Sequence, residues 1–132
     1  MTAFYAVLDP QTRTLTYARA GHNAPRLATG GRVESLEAAG SIPLGIAEGR
    51  TFDQATTILQ PGDLLLLYTD GVTEARPQGG EMFGEDGLRA VLGRTAGRPL
   101  QEVCQAVTDA VDAFQPEGQR DDVTLLLLRR QQ

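Results

Sequence analysis

Lysine is absent from this 132-residue chain, and all twelve of its basic residues are arginine. Without lysine, the protein can form neither a catalytic Schiff base nor the lysine-containing phosphate-binding P-loop. The formal net charge is −5, and no stripe of basic residues runs along the sequence. Nucleic acid is therefore not an expected partner.

Histidine, cysteine and serine are almost as scarce. His22 is the only histidine and Cys104 the only cysteine. A single chain therefore cannot build a two-histidine metal site, an internal disulfide or a thiolate zinc cluster. The two serines, Ser35 and Ser41, lie outside any Gly-x-Ser-x-Gly turn, so a serine hydrolase has almost no support.

Long apolar runs are missing as well. No run approaches the 18 residues of a membrane-spanning helix, and the N-terminus lacks the basic and apolar stretches of a secretory signal. Hydrophobic residues nevertheless make up 41% of the chain, which is enough for the core of one domain. A cytoplasmic location is the simplest expectation.

Two acidic positions flank the most apolar runs of the sequence. Asp70 follows the run at residues 64–67, and Asp121 and Asp122 precede the run at residues 123–128. If both runs are strands that pair antiparallel, the end of the first and the start of the second lie side by side. A hard divalent cation suits such carboxylates and offsets the cost of placing them beside apolar strands. The pattern predicts half of a site for Mg²⁺ or Mn²⁺.

Alternation and turn residues predict a largely antiparallel sheet. One hairpin is expected from residues 3–8 and 14–20, and a second from residues 26–29 and 32–36 around Gly30-Gly31. Further along, the predicted features are a loop over 37–50, a strand over 51–59, a type II turn over 60–63 and a strand over 64–69.

The last third of the chain has a helical pattern. A short helix is predicted over 86–92 and a longer one over 99–114, with Pro99 at its first position. Its apolar stripe is formed by Leu100, Val103, Val107, Val111 and Phe114. A turn over 115–120 leads to a final strand over 123–128, which is apolar on both faces and so expected at the centre of a sheet. Strands, then helices, then a strand predict an α+β fold.

With these residues in place, the chain resembles the C-terminal portion of the PPM-type, metal-dependent protein serine/threonine phosphatases, most of all their SpoIIE/RsbU-like branch. The resemblance covers nearly the whole chain. The phrases that carry it, in the family's order, are Thr2-Ala3-Phe4-Tyr5, Ala20-Gly21-His22-Asn23-Ala24-Pro25, Ile42-Pro43-Leu44-Gly45, Pro61-Gly62-Asp63, Asp70-Gly71-Val72-Thr73-Glu74-Ala75, Met82-Phe83-Gly84 and Asp121-Asp122-Val123-Thr124-Leu125.

The resemblance implies an antiparallel β-sandwich flanked by helices, with residues 1–132 as the C-terminal portion of the domain. It also implies two Mg²⁺ or Mn²⁺ ions and a bridging water that attacks a phosphoserine or phosphothreonine of a protein. Asp70 and Asp121 match metal-binding aspartates, and Gly71 and Asp122 are further metal candidates. Asp122 ranks behind Asp121 because successive strand residues face opposite ways. Substrates in this branch are typically phosphorylated anti-sigma-factor antagonists in bacterial signalling.

Two other side chains have open interpretations. His22 is a candidate general acid for the leaving serine oxygen, but the favoured interpretation is a turn in which its ring bonds to backbone. Glu74 is either an outer acceptor near the metal site or a solvated surface residue.

The sequence departs from the family at one point. Before Asp70 it contains no Asp-containing, Gly-rich phrase, which in the family supplies the aspartate that bridges both metals. We therefore expect at most one ion and little hydrolysis by this chain alone. The expected origins are a truncated chain, a start placed too late, or a natural half-domain. The alternative function is an inactive half-domain that acts as a protein-interaction module, and a third is a fragment without a function of its own. Unpaired apolar strands also predict a homo-oligomer.

Overall fold

Alternating apolar residues in the first 35 positions build two hairpins, one in each of two sheets. The computed structural model describes residues 1–115 and 121–131. In chain order the elements are β1 (Ala3–Asp9), β2 (Thr14–Ala20), β3 (Arg26–Thr29), β4 (Arg32–Ser35), β5 (Gly40–Ser41), β6 (Ala55–Ile58), β7 (Leu64–Tyr68), α1 (Asp70–Thr73), α2 (Gly84–Thr95), α3 (Leu100–Phe114) and β8 (Leu125–Arg129). Both predicted hairpins are confirmed: β1 pairs antiparallel with β2, and β3 with β4.

The first sheet is built around β2. Strand β1 lies along one side of β2, and β5 and β6 lie along the other. The predicted strand at 51–59 forms only as the four residues of β6. The predicted loop at 37–50 contains the two-residue strand β5, which runs parallel to β2.

The second sheet has the order β4-β3-β7-β8 and is antiparallel throughout. The predicted turn before β7 is present, with Gly62 at a φ of +85°, a conformation that favours glycine. The antiparallel pairing of β7 with β8 is also as predicted.

The expectation that the last strand is central is wrong for the part of the chain that the structure describes. Strand β8 lies at the sheet edge, and its side chains alternate between half-buried and exposed, with Leu126 and Leu128 open to solvent. The buried cluster between the two sheets takes residues from β3 and β7 but none from β8. Strand β8 is thus apolar on both faces although one of these faces is open to solvent.

The helices cover the outer face of the second sheet. Leu64, Leu66 and Tyr68 of β7 pack against the helical layer in one cluster. The buried α3 members of that cluster, Val103, Val107 and Val111, belong to the predicted stripe. Helix α2 is longer than predicted, and Pro99 precedes α3 as its N-cap residue instead of opening it.

The fold class is therefore the predicted α+β, with two antiparallel-rich sheets stacked face to face and helices on one side. The predicted turn over 115–120 lies outside the described residues except for Gln115. No helix in the described part is long and apolar enough to cross a membrane.

Candidate metal centre

Hydrogen bonds beyond the paired strands hold the Asp70 segment against the Asp121 segment. The Thr69 backbone N–H donates to the Thr124 carbonyl at 3.2 Å. The Thr69 hydroxyl donates to the Asp122 carbonyl at 3.1 Å and accepts from the Thr124 N–H at 3.0 Å. The two predicted acidic sites are thus at the same end of β7 and β8.

Gly71 allows the closest approach between these segments. A Cβ at Gly71 would lie 2.3 Å from the Asp122 carbonyl oxygen, far inside van der Waals contact. Gly71 is itself buried in the short helix α1, a turn that was not predicted from the sequence. Only glycine lets the backbone before β8 lie directly on α1.

Asp70 itself has a hydrogen-bond partner that the sequence analysis missed. The Nδ2 amide of Asn23 donates to Asp70 Oδ1 at 2.8 Å and lies 3.4 Å from the Tyr68 carbonyl. The two residues are 47 positions apart in the chain. The signal in the sequence is the Gly-His-Asn phrase, in which the histidine is the functional candidate and the asparagine is the residue that reaches Asp70.

His22 makes the backbone contact expected of a turn residue. Its Nδ1 lies 3.0 Å from the Asn23 carbonyl, which can only accept, so a hydrogen bond there places the proton on Nδ1. The His22 ring also lies against Phe4, with 6.3 Å between ring centroids. A role for His22 as a general acid stays a prediction.

Asp121 and Asp122 are both exposed, and Asp121 Oδ1 accepts the Asp122 N–H at 2.9 Å. Strand β8 begins only at Leu125, so strand alternation cannot rank these two carboxylates. A cleft of about 800 Å³ lies beside them, and its lining includes Gly71, Glu74, Arg76 and Asp121. Asp121 therefore faces the open side of this end of the sandwich.

A buried arginine lies behind the Asp70 turn. Arg26 is almost fully buried, with its guanidinium 5.7 Å from the Tyr68 ring centre and 3.0 Å from Glu85 Oε1. Burial raises the pKa of Tyr68, and the nearby Arg26 cation partly offsets that rise. Tyr68, two residues before Asp70, is therefore buried and neutral at physiological pH.

The exposed carboxylates suit a cation in chemistry but are few in number. Within residues 1–115 and 121–131, neither Asp70 nor Asp121 forms an ion pair with an arginine. The same residues contain no cluster of three acidic, histidine or cysteine side chains able to hold a metal. Arg120, which directly precedes Asp121 in the sequence, lies outside the described residues.

Known proteins are similar to this chain in both sequence and fold. Residues 1–131 match the family described as Stage II sporulation protein E (SpoIIE). The chain belongs to the SpoIIE family. Phosphoserine phosphatase RsbU of Bacillus subtilis strain 168 is 32% identical over 132 residues, which cover 98% of this chain and 39% of that protein.

Two solved structures of other proteins are similar in fold to this SpoIIE-family chain. The SiaA-PP2C domain of Pseudomonas aeruginosa is 29% identical, with a TM-score of 0.81 over 97% of this chain and 51% of that one. The RsbU and RsbW domains of a Mycobacterium tuberculosis protein give 31% identity and a TM-score of 0.82 over 98% of this chain and 36% of that one. The chain thus spans about half or less of each of these three proteins.

Proposed function

We propose that this chain supplies the Asp70 and Asp121 side of the active site of a metal-dependent protein serine/threonine phosphatase. The observation that carries the proposal is the β7–β8 pairing, which brings the Asp70-Gly71 turn against the residues before β8. The family match supports it, because the PP2C-type phosphatases among its relatives are metal-dependent. Residues 1–132 are accordingly proposed as the C-terminal portion of such a domain.

Each residue has a distinct part in this proposal. Asp70 and Asp121 would hold a divalent cation, Mg²⁺ or Mn²⁺, with Asp122 and Gly71 as further candidates. When bound, the cation would polarise a phosphoryl oxygen and lower the pKa of a coordinated water. Gly71 keeps the two acidic segments together, and the Thr69 hydroxyl fixes the backbone at Asp122.

The cleft beside Asp121 is the proposed docking place of the phosphorylated segment. Its described lining contains one cation, Arg76, beside the acidic Glu74 and Asp121. Arginine suits phosphate recognition because its planar fork donates two parallel hydrogen bonds. RsbU among the relatives is named as a phosphoserine phosphatase, and a solved neighbour joins RsbU and RsbW domains. The proposed partner here is a phosphorylated anti-sigma-factor antagonist in the cytoplasm.

A manganese titration combined with a phosphate-release assay tests the proposal. In a ¹⁵N-labelled sample, paramagnetic Mn²⁺ should broaden the amide signals of residues 69–73 and 121–124 first. Asp70→Asn and Asp121→Asn should each abolish that selective broadening. Turnover of a phosphoserine peptide by the chain alone should be weak or undetectable, because the sequence has no bridging aspartate phrase. Mn²⁺ broadening that is not selective for residues 69–73 and 121–124 would refute the metal site.

A second candidate is an inactive protein-interaction module. The small number of acidic ligands among the described residues and the open edge of β8 favour it. The two candidates separate on one result: an interaction module needs no selective Mn²⁺ broadening at residues 69–73.

A further inference from the structure

We propose that Asn23 is the positioning residue of this metal site, and that its side-chain amide orients the Asp70 carboxylate for a cation. The inference rests on the proposed function, since it assigns a partner to one of the proposed ligands. Asn23 belongs to the loop between β2 and β3, whereas Asp70 follows β7. The contact therefore joins the loop that connects the two sheets to the end of the strand pair that carries the acidic residues.

The chemistry of the contact fits an orienting role. The Asn23 amide is a neutral donor, so it fixes Asp70 Oδ1 at 2.8 Å without neutralising the carboxylate. An arginine at this place would compete with a metal ion for the same negative charge. Among the described residues the Asp70 carboxylate has no other hydrogen bond or ion pair, so Oδ2 and the second lone pair of Oδ1 remain available to a cation there. The 3.4 Å approach of the same amide to the Tyr68 carbonyl keeps Nδ2 directed towards the end of β7.

The loop that carries Asn23 is itself held on both sides. The Arg19 guanidinium donates to the His22 carbonyl at 2.9 Å and to the Glu37 carbonyl at 2.9 Å. Gly21 adopts a φ of +69°, and a Cβ there would lie 2.5 Å from Pro43. Two of the phrases quoted above, Gly-His-Asn and Ile-Pro-Leu-Gly, therefore meet at Gly21 and Pro43. This packing presents Asn23 to Asp70 from a fixed backbone.

A purely structural role predicts a different outcome from a positioning role. If the amide only ties the loop to β7, its loss lowers the free energy of unfolding and leaves metal binding to the folded protein unchanged. If the amide orients Asp70, its loss weakens metal binding in protein that is still folded. Removing the outer hydrogen-bond partner of a metal ligand typically costs about 10–100-fold in metal affinity.

The experiment uses the fact that Asn23 is the only asparagine of the chain. Labelling with ¹⁵N-asparagine therefore gives a single side-chain amide pair in the spectrum. In the metal-free protein, that pair should shift when Asp70 is replaced by Ala. Mn²⁺ should broaden the pair at the same concentrations as the backbone amides of residues 69–73.

Asn23→Leu keeps the branched shape of the side chain and removes the donor, and Asn23→Ala is the second variant. The Mn²⁺ midpoint is the concentration at which the amide signals of residues 69–73 are half broadened. Both variants should raise this midpoint by about 10-fold or more. Gln105→Ala is the matched control, because it removes an amide that donates to Asp109 at 2.8 Å on the exposed face of α3. The control should leave the Mn²⁺ midpoint unchanged.

The outcomes separate the two claims. Selective broadening in the wild type with an unchanged midpoint in folded Asn23→Leu and Asn23→Ala would overturn the positioning role and leave the metal site standing. No selective broadening in the wild type would overturn the metal site itself. If the chemical shifts of the Asn23 side-chain amide are the same in Asp70→Ala as in the wild type, the contact on which the inference is based does not exist.

Discussion

The carbonyl oxygen of Asp122 lies directly over the α-carbon of Gly71, where a Cβ would come within 2.3 Å of it. This contact joins the helical turn after β7 to the segment before β8, so it sets the spacing between the acidic residue that follows β7 and those that precede β8. A glycine in a helix is otherwise less favourable than alanine. At this position the close approach explains why glycine is present.

Gly71→Ala should therefore destabilise the protein and separate the acidic segments. The new methyl group forces the backbone of residues 121–124 away, and overpacking of this kind costs about 1–3 kcal/mol. Gly93→Ala is the matched control, because Gly93 lies in α2 with nothing within 4 Å of its added Cβ. That control should be neutral or stabilise by up to about 1 kcal/mol. Urea unfolding of both variants measures the difference, and equal effects would contradict the contact.

The buried Arg26 leads to a second prediction. Its Nε has no hydrogen-bond partner among the described residues, and its Nη2 contacts Glu85 Oε1 at 3.0 Å as an ion pair without hydrogen-bond geometry, so Glu85 is the charge that compensates Arg26. Glu85→Gln should cost about 1–2 kcal/mol in the free energy of unfolding, because it leaves a buried cation without its counter-charge. Glu34→Gln breaks the solvent-exposed pair with Arg32 and should cost less than about 0.5 kcal/mol. Equal losses by urea unfolding would show that Arg26 does not depend on Glu85.

The raised pKa of Tyr68 predicts a loss of stability in alkali. Burial holds the folded pKa above the ordinary value of 10.0, so the unfolded chain releases its proton first as the pH rises. The contribution of Tyr68 to the free energy of unfolding is complete below about pH 10 and is lost as the pH rises through the folded pKa. The absence of lysine leaves few other groups to titrate in this range.

Comparing urea midpoints at pH 8 and pH 10.5 measures this effect. Tyr68→Phe should reduce the alkaline loss, and the remainder should come from Tyr17, whose pKa burial also raises. Tyr5→Phe is the control, because Tyr5 is 72% exposed and its replacement should leave the alkaline loss unchanged. An alkaline loss that is the same in Tyr68→Phe as in the wild type would disprove the role of its burial.

Much of this fold could be predicted from local signals. Period-two alternation and the Gly30-Gly31 and Pro61-Gly62 turns determine the hairpins and the start of β7, and the spacing of Val103, Val107 and Val111 determines the buried face of α3. These features depend on a few neighbouring residues, so the sequence carries them directly.

What the sequence did not reveal depends on contacts between distant segments. Asn23 reaches Asp70 across 47 positions, and no periodicity or spacing encodes that contact. The edge position of β8 was also missed, because six consecutive residues from Val123 contain only one polar side chain and so resemble a buried strand. Whether a strand is covered depends on the extent of the facing sheet, which local sequence does not specify.

The exposed face of β8 is continuous with the space between the sheets. Leu126 is paired with Leu67, and Leu128 with Leu65, which belongs to the buried cluster between the sheets. Side chains of paired residues share a sheet face. Leu126 and Leu128, 53% and 49% exposed, therefore lie on the inner face of the sandwich without a covering strand.

This surface leads us to predict that the chain self-associates. In the described residues β8 has a partner only in β7, so its other edge presents unpaired N–H and C=O groups beside exposed leucines. Open strand edges and apolar patches of this kind pair with other chains. Light scattering at micromolar concentration should give a mass above that of one 14.2 kDa chain. Leu126→Glu with Leu128→Glu should return the protein to a monomer, because charges on an open edge oppose pairing.

Ile46→Glu is the control, because Ile46 is an exposed apolar residue in the loop between β5 and β6, and this substitution should not change the mass. A wild-type monomer under these conditions would show that the open edge of β8 does not recruit a second copy.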